Sequence, residues 1–342
     1  MKITIRDVAV RAGVSHTTVS MVINNDSRIT QETKGKVMKV IKEMDFHPSE
    51  SARSLARGNS NIISFITVMH VSPFISGILE GVETQAYDLN RYEYSIEPRS
   101  TRKSPAVKKS MLEEIMYGRQ ARAIIILGEK PSEKIVQEFK VRNIPIVLVE
   151  NRVKGAHSVR LDNFGGAYRA VQYLISKGRK KIGLISADMA PLFEDVEVYS
   201  SAAERFEGYK KALDDNGIEF DEKLVMPAHT FSYEEGKDAM NSYLDRGLKP
   251  DAILSAAGDM TAIGAMEQAE VRGIKAPEDI AIVGFDDLFL SKFVRPSLTS
   301  VRQPIKQMGR EVFDIVIAAI EGKLKEDRDI VFEPELIVRE SA

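Results

Sequence analysis

The sequence predicts a small all-α head of helix-turn-helix geometry joined to a larger α/β body of two lobes with parallel sheets. Charge is the first observation behind this. The 342 residues hold 48 Lys and Arg against 50 Asp and Glu, a net charge of −2, yet residues 1–59 carry ten basic and six acidic residues. The head is therefore at +4 and the body at −6. The second observation is patterning: beyond Asn61, runs of Ile, Val and Leu alternate with amphipathic stretches, as in parallel strands covered by helices on both faces. The third is size. A body of about 280 residues exceeds what one core usually supports, which implies two lobes.

In the head, Thr4 caps a helix reaching Ala12, with Val8, Ala9 and Ala12 on one face, and Gly13 ends it in a turn suited to positive φ. Ser15 caps a second helix to Ile23, with Val19, Val22 and Ile23 inward. Thr30 caps a third, where Val37, Val40, Ile41 and Met44 recur at helical spacing. Two helices across a tight glycine turn, propped by a third, form a helix-turn-helix. After Pro48, Ser49–Arg57 can be helical, but two turns are well below the ~12–15 residues an isolated helix needs in water. This connector is expected to fold only when a partner supplies the missing stability.

In the body, strands are expected at 62–68, 92–96, 123–127, 144–149, 158–161, 181–185, 252–256 and 280–284, with a last strand at 336–338. Helices are expected at 75–89, 133–142, 165–177, 202–216, 233–246 and 260–272. The resulting division is a head at 1–47, a connector at 48–60 and a body at 61–342. Lobe 1 is expected to span about 61–160 and 290–323, and lobe 2 about 161–289 and 324–342.

Several function classes fall away. With no cysteine there are no disulfides, thiolate metal sites or cysteine nucleophiles. The N-terminus lacks a secretory h-region and no apolar run is long enough to cross a bilayer, so a cytoplasmic protein without a membrane role is expected. There is no phosphate-cradling loop, no G-x-S-x-G elbow and no H-E-x-x-H, so no catalytic residue is assigned. The histidines His16, His47, His70, His157 and His229 stand singly, so no metal and no cofactor is expected.

In open parallel sheets, ligands bind beyond the carboxyl ends of the strands. There the sequence places Met69 and His70 ahead of Phe74, Glu150 and Asn151, Gly258 and Asp259, and Phe285, Asp286 and Asp287. Carboxylates, an amide and aromatics at a crevice suit a polar or polyhydroxylated small molecule. For Asp259 and Asp286 the alternative is capping of the following segment, and for His70 an ordinary hydrogen-bonded role.

The stretches Ile5–Ala9, Ala12–Ser15, Thr18–Ser20, Val22–Asn24, Phe46–Pro48, Ala52–Ala56, Arg205–Tyr209, Ile280–Asp287, Leu298–Pro304 and Met308–Gly309 resemble the LacI/GalR family of bacterial transcription regulators, in order along the whole chain. The resemblance implies homodimers whose heads read a near-palindromic double-stranded DNA operator. It also implies a periplasmic-binding-protein-like body that holds a small-molecule effector, a carbohydrate or its derivative. By that resemblance His16, Thr17 and Met21 read bases in the major groove, while Thr4, Ser15, Thr18, Ser20 and Asn24 complete the DNA contact. Met21 stands where the family commonly has Arg, so it cannot make the bidentate guanine contact.

In the connector, Leu55 resembles a wedge that opens a base step in the minor groove, with Ala52 allowing close approach and Arg53 and Arg57 meeting phosphates. The alternative is docking of Leu55 on the body. Phe74, Glu150, Arg205, Phe231, Asp259 and Asp286 match effector-pocket positions. Gly258 replaces a common Asn, and Leu127 ends its strand where a polar contact is often found. The sequence has no Leu-heptad tail, so a dimer is expected rather than a tetramer. Alternatives are the same DNA reader under a protein co-regulator, a solute-binding protein, or a sugar-modifying enzyme.

Overall fold

A computed structural model describes residues 3–23, 26, 28–46, 60–68, 72–118, 120–187 and 200–342. In the head, α1 (Ile5–Ala12), α2 (His16–Ile23) and α3 (Gln31–Glu43) enclose a core of Val8, Ala9, Ala12, Val19, Val22, Val37 and Val40. Thr4 and Asp7 form a reciprocal capping box, and Gly13 adopts φ 64°, as the turn to α2 requires. Ser15 Oγ accepts from the Thr18 N–H at 3.0 Å, and Thr30 caps α3 through the Thr33 N–H. All three helix starts therefore fall where the sequence places them. Ala52, Arg53, Leu55 and Arg57, and also Asn24, His47, Met69 and His70, lie outside the described residues.

The body contains two six-stranded sheets. Its elements run β1 (Ile62–Thr67), α4 (Pro73–Asp88), β2 (Ser95–Ser100), α5 (Pro105–Gly118), β3 (Ala123–Leu127), α6 (Glu133–Val141), β4 (Ile146–Val149) and β5 (His157–Leu161). They continue with α7 (Asn163–Ser176), β6 (Ile182–Ala187), α8 (Ser200–Asp215), β7 (Val225–Ala228), α9 (Tyr233–Asp245), β8 (Ala252–Ser255), α10 (Asp259–Val271) and β9 (Ala281–Asp286). The last are β10 (Thr299–Arg302), α11 (Ile305–Ile320), β11 (Asp329–Phe332) and β12 (Glu335–Ile337). The first sheet has the order β11-β5-β4-β3-β1-β2, and the second β12-β10-β9-β8-β6-β7. Every pairing is parallel except β10 with β12.

Sheet membership corrects the expected lobe limits. Strand β10 pairs with β9 in the second sheet, so residues 299–302 belong to lobe 2 and not to lobe 1. Strand β11 pairs with β5 in the first sheet, so 329–332 belongs to lobe 1 and not to lobe 2. The chain thus crosses between lobes three times, at 162–163, 303–304 and 333–334. The expected division has three crossings as well, but sets the second and third one short strand too early, at 289–290 and 323–324, because β10, β11 and β12 are only three or four residues long. The strand expected at 92–96 begins at Ser95, since an Arg91 to Tyr94 turn occupies the preceding residues.

Where helices must approach closely, glycine permits it. A Cβ on Gly81 would lie 2.2 Å from the Lys306 carbonyl oxygen, and one on Gly309 2.2 Å from that of Ile78, so α4 and α11 meet glycine against glycine. In a free helix Gly→Ala gains about 1 kcal/mol. Here Gly81→Ala is expected to cost about 3 kcal/mol through overpacking, measured by urea unfolding.

Candidate functional site

The carboxyl ends of the parallel strands and the crossover segments gather a cluster of polar residues where the chain passes from one sheet to the other. At its centre Arg205, on α8, is 9% exposed. Its Nε donates to Asn163 Oδ1 at 2.7 Å, its Nη1 donates to the Ala256 carbonyl at 2.8 Å, and its plane lies 3.7 Å from the Phe285 ring centroid. Asn163 opens α7 at the first crossover, and its Nδ2 donates to Glu150 Oε2 at 2.7 Å. The other Glu150 oxygen accepts from the Leu161 N–H at 2.8 Å. An unbroken chain, Glu150–Asn163–Arg205, thus runs from the end of β4 in lobe 1 to α8 in lobe 2.

The second crossover repeats the device. Gln303 Nε2 donates to Asp286 Oδ1 at 2.5 Å, while Gln303 Oε1 is buried with no hydrogen-bond partner. Glu150, Phe231 and Asp286 hold positive φ of 62°, 58° and 110°, a conformation non-glycine residues adopt at a cost. Gly258, at φ 109°, lets the Asp286 carboxylate pass: a Cβ there would lie 3.0 Å from Asp286 Oδ2.

Burial raises the carboxyl groups. Asp286 is pushed up to about 6 by burial, opposed by Arg205 and by the Gln303 amide. Burial and then the Asp286 charge push Asp259 up to about 7. Glu150 is raised by burial against the pull of Arg205, Asn163 and the Leu161 N–H, and Glu204 by burial and the nearby Glu150. Burial lowers Arg205, opposed by Asp286, Glu150 and Glu204. A ligand hydroxyl binds the ionised Asp286 better than the neutral acid. A polar ligand that donates to Asp286 is therefore expected to bind more tightly as pH rises from 5 to 7.5, weakening by up to about tenfold per unit below 6, with Asp286→Asn flattening the profile in calorimetry.

The structure sorts the six expected pocket residues. Glu150, Arg205 and Asp286 share one electrostatic cluster. Phe74, at the start of α4, is half-buried against the lobe 1 core, and Phe231, before α9, against that of lobe 2. Asp259 is wholly buried, accepting from the Leu288 N–H at 2.6 Å, Ser291 Oγ at 2.6 Å and Ser300 Oγ at 2.5 Å. It clamps the turn after β9 to β10. Asp287 is likewise taken by Arg302 at 2.7 Å and by Arg339. Asn163 and Gln303 were given no role by the sequence reading. Asn163 could have been found: Asp162 already caps α7 through the Gly165 N–H at 2.8 Å, which leaves the adjacent amide without a capping task.

In the head, His16 and Thr17 are exposed on the first turn of α2, and Met21 is half-buried one turn on. The Thr4, Ser15 and Thr18 hydroxyls are engaged in local caps. Among the described residues no group of three or more His, Cys, Asp or Glu is placed to hold a metal, and no helix is long and apolar enough to cross a membrane.

The head and body also match known proteins. Residues 4–49 match the bacterial regulatory proteins of the lacI family, and residues 171–342 match the periplasmic binding protein-like domain. The chain is 34% identical over 346 residues to the HTH-type transcriptional regulator DegA of Bacillus subtilis (strain 168), covering 100% of this chain and 98% of that one. This chain belongs to the lacI family of bacterial regulatory proteins. It is also 30% identical over 340 residues to the HTH-type transcriptional repressor PurR of Pasteurella multocida (strain Pm70), covering 99% of this chain and 98% of that one.

Among solved structures, a transcriptional regulator CelR–cellobiose complex superposes with a TM-score of 0.72 at 28% identity, covering 99% of this chain and 100% of that one. The lac repressor dimer bound to operator and an anti-inducer gives 0.79 at 24% identity, covering 100% and 99%, a likeness of fold. This lacI-family chain is a transcriptional regulator with a helix-turn-helix head and a two-sheet α/β body. Its relatives are regulators and not enzymes.

Proposed function

We propose that this regulator is a cytoplasmic homodimeric repressor that reads a near-palindromic operator and is controlled by a small polar effector, a sugar or sugar derivative, bound between its lobes. The observation that carries the reading is the Glu150–Asn163–Arg205 chain. It ties a buried guanidinium in one lobe to a buried carboxylate in the other, through an amide at a crossover. A ligand engaging Arg205 or Asp286 acts directly on Asn163 and Gln303, where the chain passes between lobes. Bringing the lobes together or apart then alters the spacing of the two connectors in a dimer, and with it the operator affinity. The CelR–cellobiose complex supports a carbohydrate in this fold.

In the head, exposed His16 and Thr17 supply base contacts, and Met21 supplies an apolar one. The helix starts at Thr4 and at Ser15, with Thr18, Ser20 and Asn24, meet the phosphate backbone. By the family resemblance, Ala52, Arg53, Leu55 and Arg57 carry the minor-groove contact. Met21→Arg is expected to shift preference at one operator position toward guanine by about 1–3 kcal/mol, read by binding-site selection on randomised DNA. The same selection with the parent chain tests the reading itself: it should recover two inverted half-sites. Recovery of no enriched sequence would rule it out.

A further inference from the structure

The crossovers all lie toward one edge of the sheets. Residues 162–163, 303–304 and 333–334 follow β5, β10 and β11, whereas β2 and β7 form the opposite edges. At that far edge the lobes meet again. Lys103, three residues beyond β2, donates from Nζ to the His229 carbonyl, directly after β7, at 2.6 Å. Four to five strand spacings of ~4.8 Å place this bond about 19–24 Å from the crossovers. A rotation of about 10° there would part the pair by about 3–4 Å, enough to break the bond.

Each partner is held by its own lobe. Arg102 and Lys103 adopt φ of 53° and 57°, in a turn where the Thr101 N–H donates to the Thr67 carbonyl and the Ser104 N–H to the Thr101 carbonyl, both at 2.9 Å. The buried Thr101 hydroxyl donates to Glu129, which also faces Lys108 Nζ at 3.1 Å. Two successive left-handed residues with side chains are costly, and such a backbone persists only where its surroundings over-determine it. Opposite, Glu235 accepts from the N–H groups of His229, Thr230 and Ser232 at 2.6, 2.8 and 3.2 Å, which fixes the segment whose carbonyl Lys103 meets. A charge-assisted bond between two groups already in place needs little further ordering.

We propose that Lys103 is an interlobe latch, which holds the lobes together at the edge opposite the crossovers and must release His229 before they part there. On the effector reading, a ligand entering from this edge first releases the latch; the latch itself does not depend on that reading. Both groups face water, so the hold is modest, about two- to fivefold in the balance of closed and open forms.

The chain has no cysteine, so a pair placed on the two rims reports their separation alone. Ala106→Cys on α5 and Glu234→Cys on α9, both exposed positions, are joined in the full chain by a short bis-maleimide. Links within one chain are separated from links between chains on a denaturing gel. Their rate is normalised to labelling of each single cysteine by N-ethylmaleimide. Lys103→Met should slow crosslinking within the chain by about two- to fivefold. Lys109→Met removes an exposed lysine of α5 and should leave the rate unchanged.

A parental rate in Lys103→Met would overturn the latch, as would equal slowing by Lys109→Met. No sugar enters this test, so the two readings fail separately. A chain that shows the slowing but binds no sugar in calorimetry keeps the latch and loses the carbohydrate effector.

Discussion

Arg205→Ala is expected to abolish the effector response while the effector-free protein still binds its operator. The substitution removes the donors to Asn163 and to the Ala256 carbonyl and the group stacked on Phe285. It also takes the countercharge away from Glu150, Glu204 and Asp286. A buried charge left without its partner costs about 3–5 kcal/mol. Thermal stability should therefore drop, and effector affinity should fall by more than about 30-fold, as for loss of a buried, hydrogen-bonded charge.

Arg205→Lys separates charge from geometry. It keeps the positive charge but loses the planar fork, so it should recover much of the stability and little of the effector binding. Operator affinity without effector should persist in both variants, because the head closes its own core around Val8, Val19 and Val37. The checks are thermal denaturation, calorimetry and an operator-binding titration on the same preparations.

Asp259→Ala is expected to destabilise the body by about 3–5 kcal/mol. It strands the Leu288 N–H and the Ser291 and Ser300 hydroxyls, all of which now donate to one buried carboxylate. The pH dependence has a definite sign. Asp259 sits near 7 in the folded protein against a usual value of 3.8, so the folded state holds its proton more tightly than the unfolded one. Its contribution is largest below about pH 4 and declines as pH rises to 7. The stability gap between parent and variant should then be wider at pH 5 than at pH 8, by urea unfolding at each pH. A gap that widens at high pH would contradict burial as the cause of the raised value.

Much of this architecture is legible in the residues, and the parts that are not have identifiable reasons. The head could be read to its caps because Thr4, Gly13, Ser15 and Thr30 each act through local geometry. The central strands β1, β3, β8 and β9 could be read because Ile and Val runs of that length have few other uses. Strand β7 was missed because Val-Met-Pro-Ala is four residues long with a proline, a pattern that fits a sheet edge better than a core strand. Helix α5 is lysine- and glutamate-rich with a weak apolar stripe, and buries only Leu112, Ile115 and Met116.

The site divides in the same way. Glu150, Arg205 and Asp286 stand out as charges at strand ends or in a matched stretch. Asn163 and Gln303 matter only because the chain crosses between lobes beside them, and a crossing depends on sheet order, which no local pattern reveals. Asp259 illustrates the converse: a strand-end carboxylate whose oxygens serve its own lobe.

The most direct measurement is operator affinity of the full chain at fixed salt, with and without the sugar that most raises its melting temperature, for the parent and for Asp286→Ala. A ligand-dependent change of about 5- to 150-fold in the parent, absent in the variant, is the predicted result. Identical operator affinity in the parent at saturating sugar would contradict control of DNA binding from the crevice.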